Sequence, residues 1–113
     1  MAETIFGKII QGEIPADVVH EDELCMAFKD IQAQAPVHIL VIPKKAIEKV
    51  GDATEEDQAL LGHLMLTASK VAREQGVGDA FRLVVNHGED AGQSVFHLHI
   101  HVIGGRPLSW PPG

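Results

Sequence analysis

Residues 96–103 read Phe96-His97-Leu98-His99-Ile100-His101-Val102-Ile103, three imidazoles alternating with apolar side chains at a period of two. In a β-strand that period puts His97, His99 and His101 on one face and Phe96, Leu98, Ile100 and Val102 on the other. The apolar face can be buried against a core, which turns the imidazoles toward a separate space. Histidine is the side chain whose ordinary pKa makes it both acid and base near neutrality. A row of three in a chain of 113 residues therefore points to chemistry rather than packing.

Outward from this row, residues 95–103 read as one strand and 81–86 as the strand before it. The polar, glycine-containing loop 87–94 joins them. Asn86, Gly92, Gln93 and Ser94 supply hydrogen-bond donors there, and glycine permits close backbone approach to an anion. Further upstream, Thr54 with Asp57 three residues on has the form of a capping box, and Leu60, Leu61, Leu64, Met65, Ala68, Val71 and Ala72 recur at helical spacing. Gly76 and Gly78 end that helix. Its other face carries His63, Thr67, Lys70 and Arg73, with Leu66 exposed among them.

Residues 18–20 and 24–29 read as a hairpin around the acidic turn Glu21-Asp22-Glu23, and 37–42 as a third β-prone run that begins near His38 and is stopped by Pro43. Thr4 can cap a short helix carrying Ile5, Phe6, Ile9 and Ile10, ended by Gly12 and Pro15. Strands in runs with one principal helix predict an α+β fold: a five-stranded antiparallel sheet, one long helix and a short N-terminal helix. The long helix would cover one sheet face and leave the other for a site. Without internal repeat or linker, residues 1–113 read as a single domain.

Nine Lys and Arg against sixteen Asp and Glu give a net charge of −7, and no basic run occurs. Nucleic-acid and membrane partners held by phosphate contacts are thereby disfavoured. A small anion remains compatible, because neutral imidazoles and backbone N–H groups can bind phosphate whatever the global charge. The lone Cys25 fits a reducing compartment. With no signal-like run at the start and no membrane-length apolar stretch, a soluble cytoplasmic protein is expected.

Same-face neighbours on a strand lie about 6.6 Å apart, so His97 and His101 are separated by about 13 Å. Zinc needs each imidazole nitrogen at about 2.0–2.1 Å, so three histidines of one straight strand make a poor site without His38 or His87 as the missing ligand. No metal or other cofactor is expected. Nucleophilic catalysis suits the row better: neutral imidazole attacks phosphorus, and crowded like-charged neighbours lower a histidine pKa. His99, with a histidine on each side, is the natural nucleophile. His38 can hydrogen-bond to His97 if the two strands are neighbours, whereas His20, His63 and His87 read as ordinary structural histidines.

The stretch 97–103 has the form His-x-His-x-His-x-x with apolar x, and it resembles the signature of the histidine triad superfamily. The likeness extends to Ile5-Phe6-Gly7-Lys8-Ile9-Ile10, Ile14-Pro15, Ala35-Pro36-Val37-His38-Ile39-Leu40-Val41-Ile42-Pro43-Lys44, Gly92-Gln93-Ser94-Val95, Gly104-Gly105-Arg106 and Trp110-Pro111-Pro112-Gly113. These blocks look like the histidine triad nucleotide-binding protein branch and span nearly the whole chain. The resemblance implies a homodimer whose two sheets join into a ten-stranded sheet. It also implies a purine nucleoside phosphoramidase acting on adenosine or guanosine 5′-phosphoramidates and aminoacyl-adenylate-like substrates, with AMP or GMP released. By that likeness His99 attacks the α-phosphorus, His97 and His38 form a relay behind it, and His101 contacts the phosphate. Ser94 then lies near the leaving nitrogen and Asn86 holds a phosphate or 5′ oxygen. Asp30 binds the ribose, and Trp110 reaches the partner's site.

The Asp30 assignment also makes physical sense by itself, since a carboxylate accepts hydrogen bonds from vicinal hydroxyls while Ile5, Phe6, Ile9, Phe28 and Ile31 offer an apolar slot for a planar base. Phe96 stands where tyrosine is common in the branch, which removes any hydroxyl contact there. Two other readings compete: a dinucleoside-polyphosphate hydrolase, which the Gly-Gly-Arg and Trp-Pro-Pro-Gly tail disfavours, and a nucleotide-binding scaffold with vestigial catalysis.

Overall fold

The computed structural model describes residues 3–113. The Thr4 hydroxyl accepts the Gly7 N–H (3.1 Å) and caps the short helix α1 (Ile5–Ile10). Strands β1 (Val18–Glu21) and β2 (Cys25–Lys29) pair as the expected hairpin. Its turn is held by Asp22, whose Oδ1 accepts the N–H groups of Leu24 (2.8 Å) and Cys25 (2.9 Å). β3 (Val37–Pro43) follows, then the long helix α2 (Gln58–Glu74), then β4 (Phe81–Val84) and β5 (Ile100–Gly104). The five strands form one antiparallel sheet in the order β1-β2-β3-β5-β4.

Helix α2 starts after a single 3₁₀ turn, Glu55–Asp57, where the Thr54 N–H donates to the Asp57 carboxylate (3.0 Å) as the capping-box spacing predicts. It ends where Gly76 takes φ +84°, so that the Gly76 and Val77 N–H groups turn back onto the carbonyls of Arg73 (3.0 Å) and Ala72 (2.9 Å). Each sheet face has its own apolar cluster. Leu64, Ala68, Val71 and Ala72 of α2 pack on Cys25, Ala27, Ile39, Val41, Leu98, Ile100 and Val102. On the opposite face Phe6 of α1 packs on Met26, Phe28, Leu40 and Ile42. Alternation along β2, β3 and β5 produces this division, and α1 is too short to cover its face as fully as α2 covers the other.

Four expectations need correction. The last strand begins at Ile100, not at residue 95, because its partner β3 ends at Pro43, which has no N–H to donate. Before that point the chain bonds elsewhere, with the Leu98 N–H donating to the Ile47 carbonyl (2.6 Å). Likewise β4 stops at Val84 rather than at 86, its last pairing being with His101. Phe96 falls outside the core, 37% exposed with Lys49 Nζ 5.8 Å above its ring. On α2 two positions exchange character: Met65 is exposed, and Thr67 is buried against Cys25. Leu66 is exposed, as expected.

Candidate active site

On the α1 side of the sheet, β3 brings His38, β5 brings His101, and the irregular segment leading into β5 brings His97 and His99. The period-two alternation survives there although strand pairing does not, since Leu98, Ile100 and Val102 enter the α2-side core. The register sets Leu40 opposite His101 and His38 opposite Ile103. His38 and His101 are thus diagonal neighbours on one face, within reach of long side chains, and His38 Nε2 lies 2.9 Å from His101 Nδ1. The expected contact between His38 and His97 is not made. His97 sits at the far end of β3, where its Nε2 meets the Pro43 carbonyl at 2.7 Å. The support chain through His38 therefore runs to His101 instead.

Hydrogen-bond partners that can only donate or only accept assign the tautomers. The His97 carbonyl can only accept, so His99 Nδ1 carries the proton across their 2.8 Å contact. Nε2 of the neutral ring is then bare, and no group among the described residues hydrogen-bonds to it. The Gln34 N–H can only donate, so His38 Nδ1 accepts it (3.0 Å) and His38 Nε2 holds the proton given to His101 Nδ1. His101 in turn carries its proton on Nε2. The pair thus differs in function: His99 offers a lone pair and His101 a hydrogen-bond donor, with ring centroids 5.0 Å apart. Phe6 stands edge-on to His99 at 5.0 Å and 87°, which limits how that ring can tilt.

His99 and His101 line a cleft of about 520 Å³ together with Ile5, Phe6, Ile9, Phe28, Asp30, Ile31 and Ser94, a size that suits one small ligand. Sequence reasoning missed Leu40, Ile14, Pro15, Ala16 and Val95 in the same wall. Alternation along β3 was the available signal for Leu40. Asp30 is fixed by the Gln32 N–H on Oδ1 (2.8 Å) and holds Oδ2 3.4 Å from His38 Nε2. The donor atoms of Asp30, His38 and His101 lie within 4.8 Å of one another, a spacing that a metal ion can bridge. His38 and His101 are already hydrogen-bonded to each other, however, and an ion between them would break the link that sets the His101 tautomer.

The family model described as the HIT domain matches residues 11–108. The chain belongs to the HIT domain family. This HIT chain is 63% identical to an uncharacterized HIT-like protein of Synechocystis sp., with 100% of both chains covered. In structure it is similar to a HIT family hydrolase of Legionella pneumophila, at TM-score 0.94 and 47% identity over 96% of this chain and 98% of that one. It is also similar to a histidine triad nucleotide-binding protein of Candida albicans, at TM-score 0.82 and 28% identity over 96% of this chain and 82% of that one.

Several residues expected to bind the substrate do not line the HIT cleft. Gln93 is 2% exposed and its amide is fully engaged: Oε1 accepts the Gly88 N–H (2.9 Å) while Nε2 donates to the carbonyls of Glu48 (2.7 Å) and Val95 (3.0 Å). It shapes the loop and has no donor left for a ligand. Gly92, at φ +98°, and Asn86 lie beside each other outside the cleft wall. Trp110, expected at a partner's site rather than at this one, is exposed on the tail. Burial lowers the pKa of His97 and of His99, and pushes His101 down to about 4 with further help from the neighbouring His99 and His38. The Asp30 carboxylate opposes this at His99 and His101 without reversing it. The lowered values favour the neutral form of His97, His99 and His101 at pH 7.

Proposed function

We propose that this HIT protein is a purine nucleoside phosphoramidase that passes through a covalent nucleotidyl-histidine on His99. The observation that carries the reading is the bare Nε2 of a neutral His99 in a cleft that also presents an apolar wall and the Asp30 carboxylate. His99 Nε2 attacks the α-phosphorus and forms a new N–P bond. The bond from phosphorus to the substrate amine breaks, and the amine leaves with a proton taken up from solvent. His101 Nε2–H donates to a phosphoryl oxygen, where fixed donors act on developing charge. Ser94, exposed at the cleft rim, hydrogen-bonds the leaving nitrogen. Water then cleaves the N–P bond, releasing AMP or GMP and restoring His99.

Asp30 accepts the ribose hydroxyls with the lone pairs that Gln32 leaves free, and the purine lies against Ile5, Ile9, Phe28 and Ile31. His38 holds the His101 tautomer. The nucleotide-binding relative of Candida albicans and the hydrolase of Legionella pneumophila support this direction. A homodimer belongs to the same proposal. β4 is an edge strand with an unpaired side, and Met65 and Leu66 are exposed on α2, features that association across the edge would cover. In such a dimer Trp110 contacts the partner's cleft.

Turnover of an adenosine 5′-phosphoramidate and of a diadenosine polyphosphate by the same preparation separates the two hydrolase readings. The phosphoramidate should be preferred by about 100-fold or more in kcat/KM, a transition-state difference of about 2.7 kcal/mol. Equal or reversed preference would place the chain with the polyphosphate hydrolases, and no turnover of either would favour a nucleotide-binding scaffold.

The lowered histidine pKa values give a second test, whose sign follows from which form reacts. Protonated His99 has no lone pair, so activity falls as pH drops through its folded pKa, which lies below the ordinary value of about 6.5. The acid limb of kcat/KM should accordingly have its midpoint below about 6.5, with a plateau from there through pH 8. A midpoint at or above 6.5, in protein shown by circular dichroism to be folded, would contradict a desolvated neutral nucleophile.

A further inference from the structure

A second cluster of ligating side chains lies on the α2 side of the sheet, away from the cleft. Asp22 Oδ2, in the β1–β2 turn, is met by His20 Nε2 (2.8 Å), by His63 Nε2 (2.8 Å) and by Cys25 Sγ (3.5 Å). The donor atoms of His20, Asp22 and Cys25 all lie within 4.8 Å of one another, and His63 reaches the same carboxylate oxygen from α2, 41 residues away in sequence. We propose that His20, Asp22, Cys25 and His63 form a binding site for one divalent transition-metal ion of the zinc class.

Two imidazoles, one carboxylate and one thiolate make a tetrahedral donor set of the kind zinc takes, at about 2.0–2.3 Å from each ligand atom. Donors around such an ion are separated by about 3.3–3.8 Å, so the His20 and His63 nitrogens, 2.8 Å from Asp22 Oδ2, must draw back from it to admit the ion, while Cys25 Sγ at 3.5 Å already stands at that spacing. Asp22 is anchored through Oδ1 to two backbone N–H groups and keeps Oδ2 for the ion. Cys25 is fully buried at the base, while His20 (16%), Asp22 (29%) and His63 (35%) are progressively more exposed. The ion therefore approaches from the His63 side. Thr67 Oγ1, 3.7 Å from Cys25 Sγ, stands ready to hydrogen-bond the bound thiolate.

Binding exchanges protons in a defined way. Each neutral imidazole moves its hydrogen to Nδ1 and coordinates through Nε2, and the Cys25 thiol proton is released to water. Partial burial works against ionisation of Asp22. Even so, hydrogen bonds from His20, His63 and the Leu24 and Cys25 N–H groups hold its carboxyl well below the usual carboxylate range, so a negative ligand is available throughout the neutral range. Burial pushes the Cys25 thiol up to about 11, so the ion must displace a tightly held proton and affinity rises with pH.

Cobalt(II) alone is the probe, because thiolate-to-cobalt charge transfer in the near ultraviolet reports sulfur ligation and Cys25 is the one cysteine of the chain. Titration of the full chain should give one equivalent per chain, with tetrahedral visible bands and the charge-transfer band together. Cys25→Ser should lose the charge-transfer band. His20→Ala and His63→Ala should each weaken cobalt binding by about tenfold or more, with all variants checked by thermal melting. Ions held by the imidazoles of the cleft would show no sulfur band. If the wild-type chain shows no such band at stoichiometric cobalt, or if His63→Ala binds as tightly as wild type, the proposal is overturned. Neither result bears on turnover at His99.

Discussion

His99→Ala is expected to reduce kcat/KM for an adenosine 5′-phosphoramidate by about 10⁴-fold or more, because removing a nucleophile leaves only binding and the fixed donors of the site. AMP affinity should change by less than about tenfold, since the apolar wall, Asp30 and the His101 donor all remain. Steady-state kinetics and AMP titration on one preparation separate the two effects. Comparable losses in both would mean that His99 serves binding and that the attacking group lies elsewhere. The melting temperature supplies the control, since His99 is buried against Phe6.

The largest effect on stability is expected at Leu98, which lies between the two buried histidines. It is 2% exposed in the α2-side core, and its N–H bonds the Ile47 carbonyl (2.6 Å). Truncation to Ala should destabilise the protein by about 2–5 kcal/mol through lost burial and the cavity left behind. Urea unfolding measures this, with the midpoint lowered and the slope unchanged. Because Leu98 fixes the segment carrying the His97 carbonyl, which orients His99, kcat should fall as well, even under conditions where the variant is fully folded. A loss below about 1 kcal/mol would show that the segment ahead of β5 is held mainly by its hydrogen bonds.

The fold was readable because alternation and capping are local. Leu98, Ile100 and Val102 had to share a face whether or not the backbone around them was paired, and Thr4, Asp57 and Gly76 mark helix boundaries through bonds within a few residues. The start of β5 was not readable in the same way. It depends on Pro43 ending the partner strand, a fact about a neighbour nearly sixty residues away. The His38 partnership was hidden for a related reason: whether His38 meets His97 or His101 is decided by the register of β3 on β5, and residues 44–99, with α2 and β4 among them, separate those strands so that no hairpin turn fixes it.

Gln93 illustrates a different limit. Its neighbours Gly92 and Ser94 suggest a ligand-binding loop, yet the loop satisfies its own polar groups with the Gln93 amide, and only the full set of partners shows that no donor remains. Thr67 was assigned to the exposed face of α2 on polarity alone. A small hydroxyl can be buried when a partner is close, and Cys25 provides one. The same contact links α2 to the Asp22 cluster, whose members read singly as ordinary structural residues.

Covalent trapping tests the central claim most directly. Enzyme mixed with an adenosine 5′-phosphoramidate, acid-quenched within the first turnover and digested for mass spectrometry, should carry one adenylate on the peptide containing His99, with fragmentation placing it on that residue. The same treatment of His99→Ala should yield none. An adenylate on His97, His101 or any other residue, or rapid turnover with no adenylated enzyme at any quench time, would contradict attack by the bare Nε2 of His99.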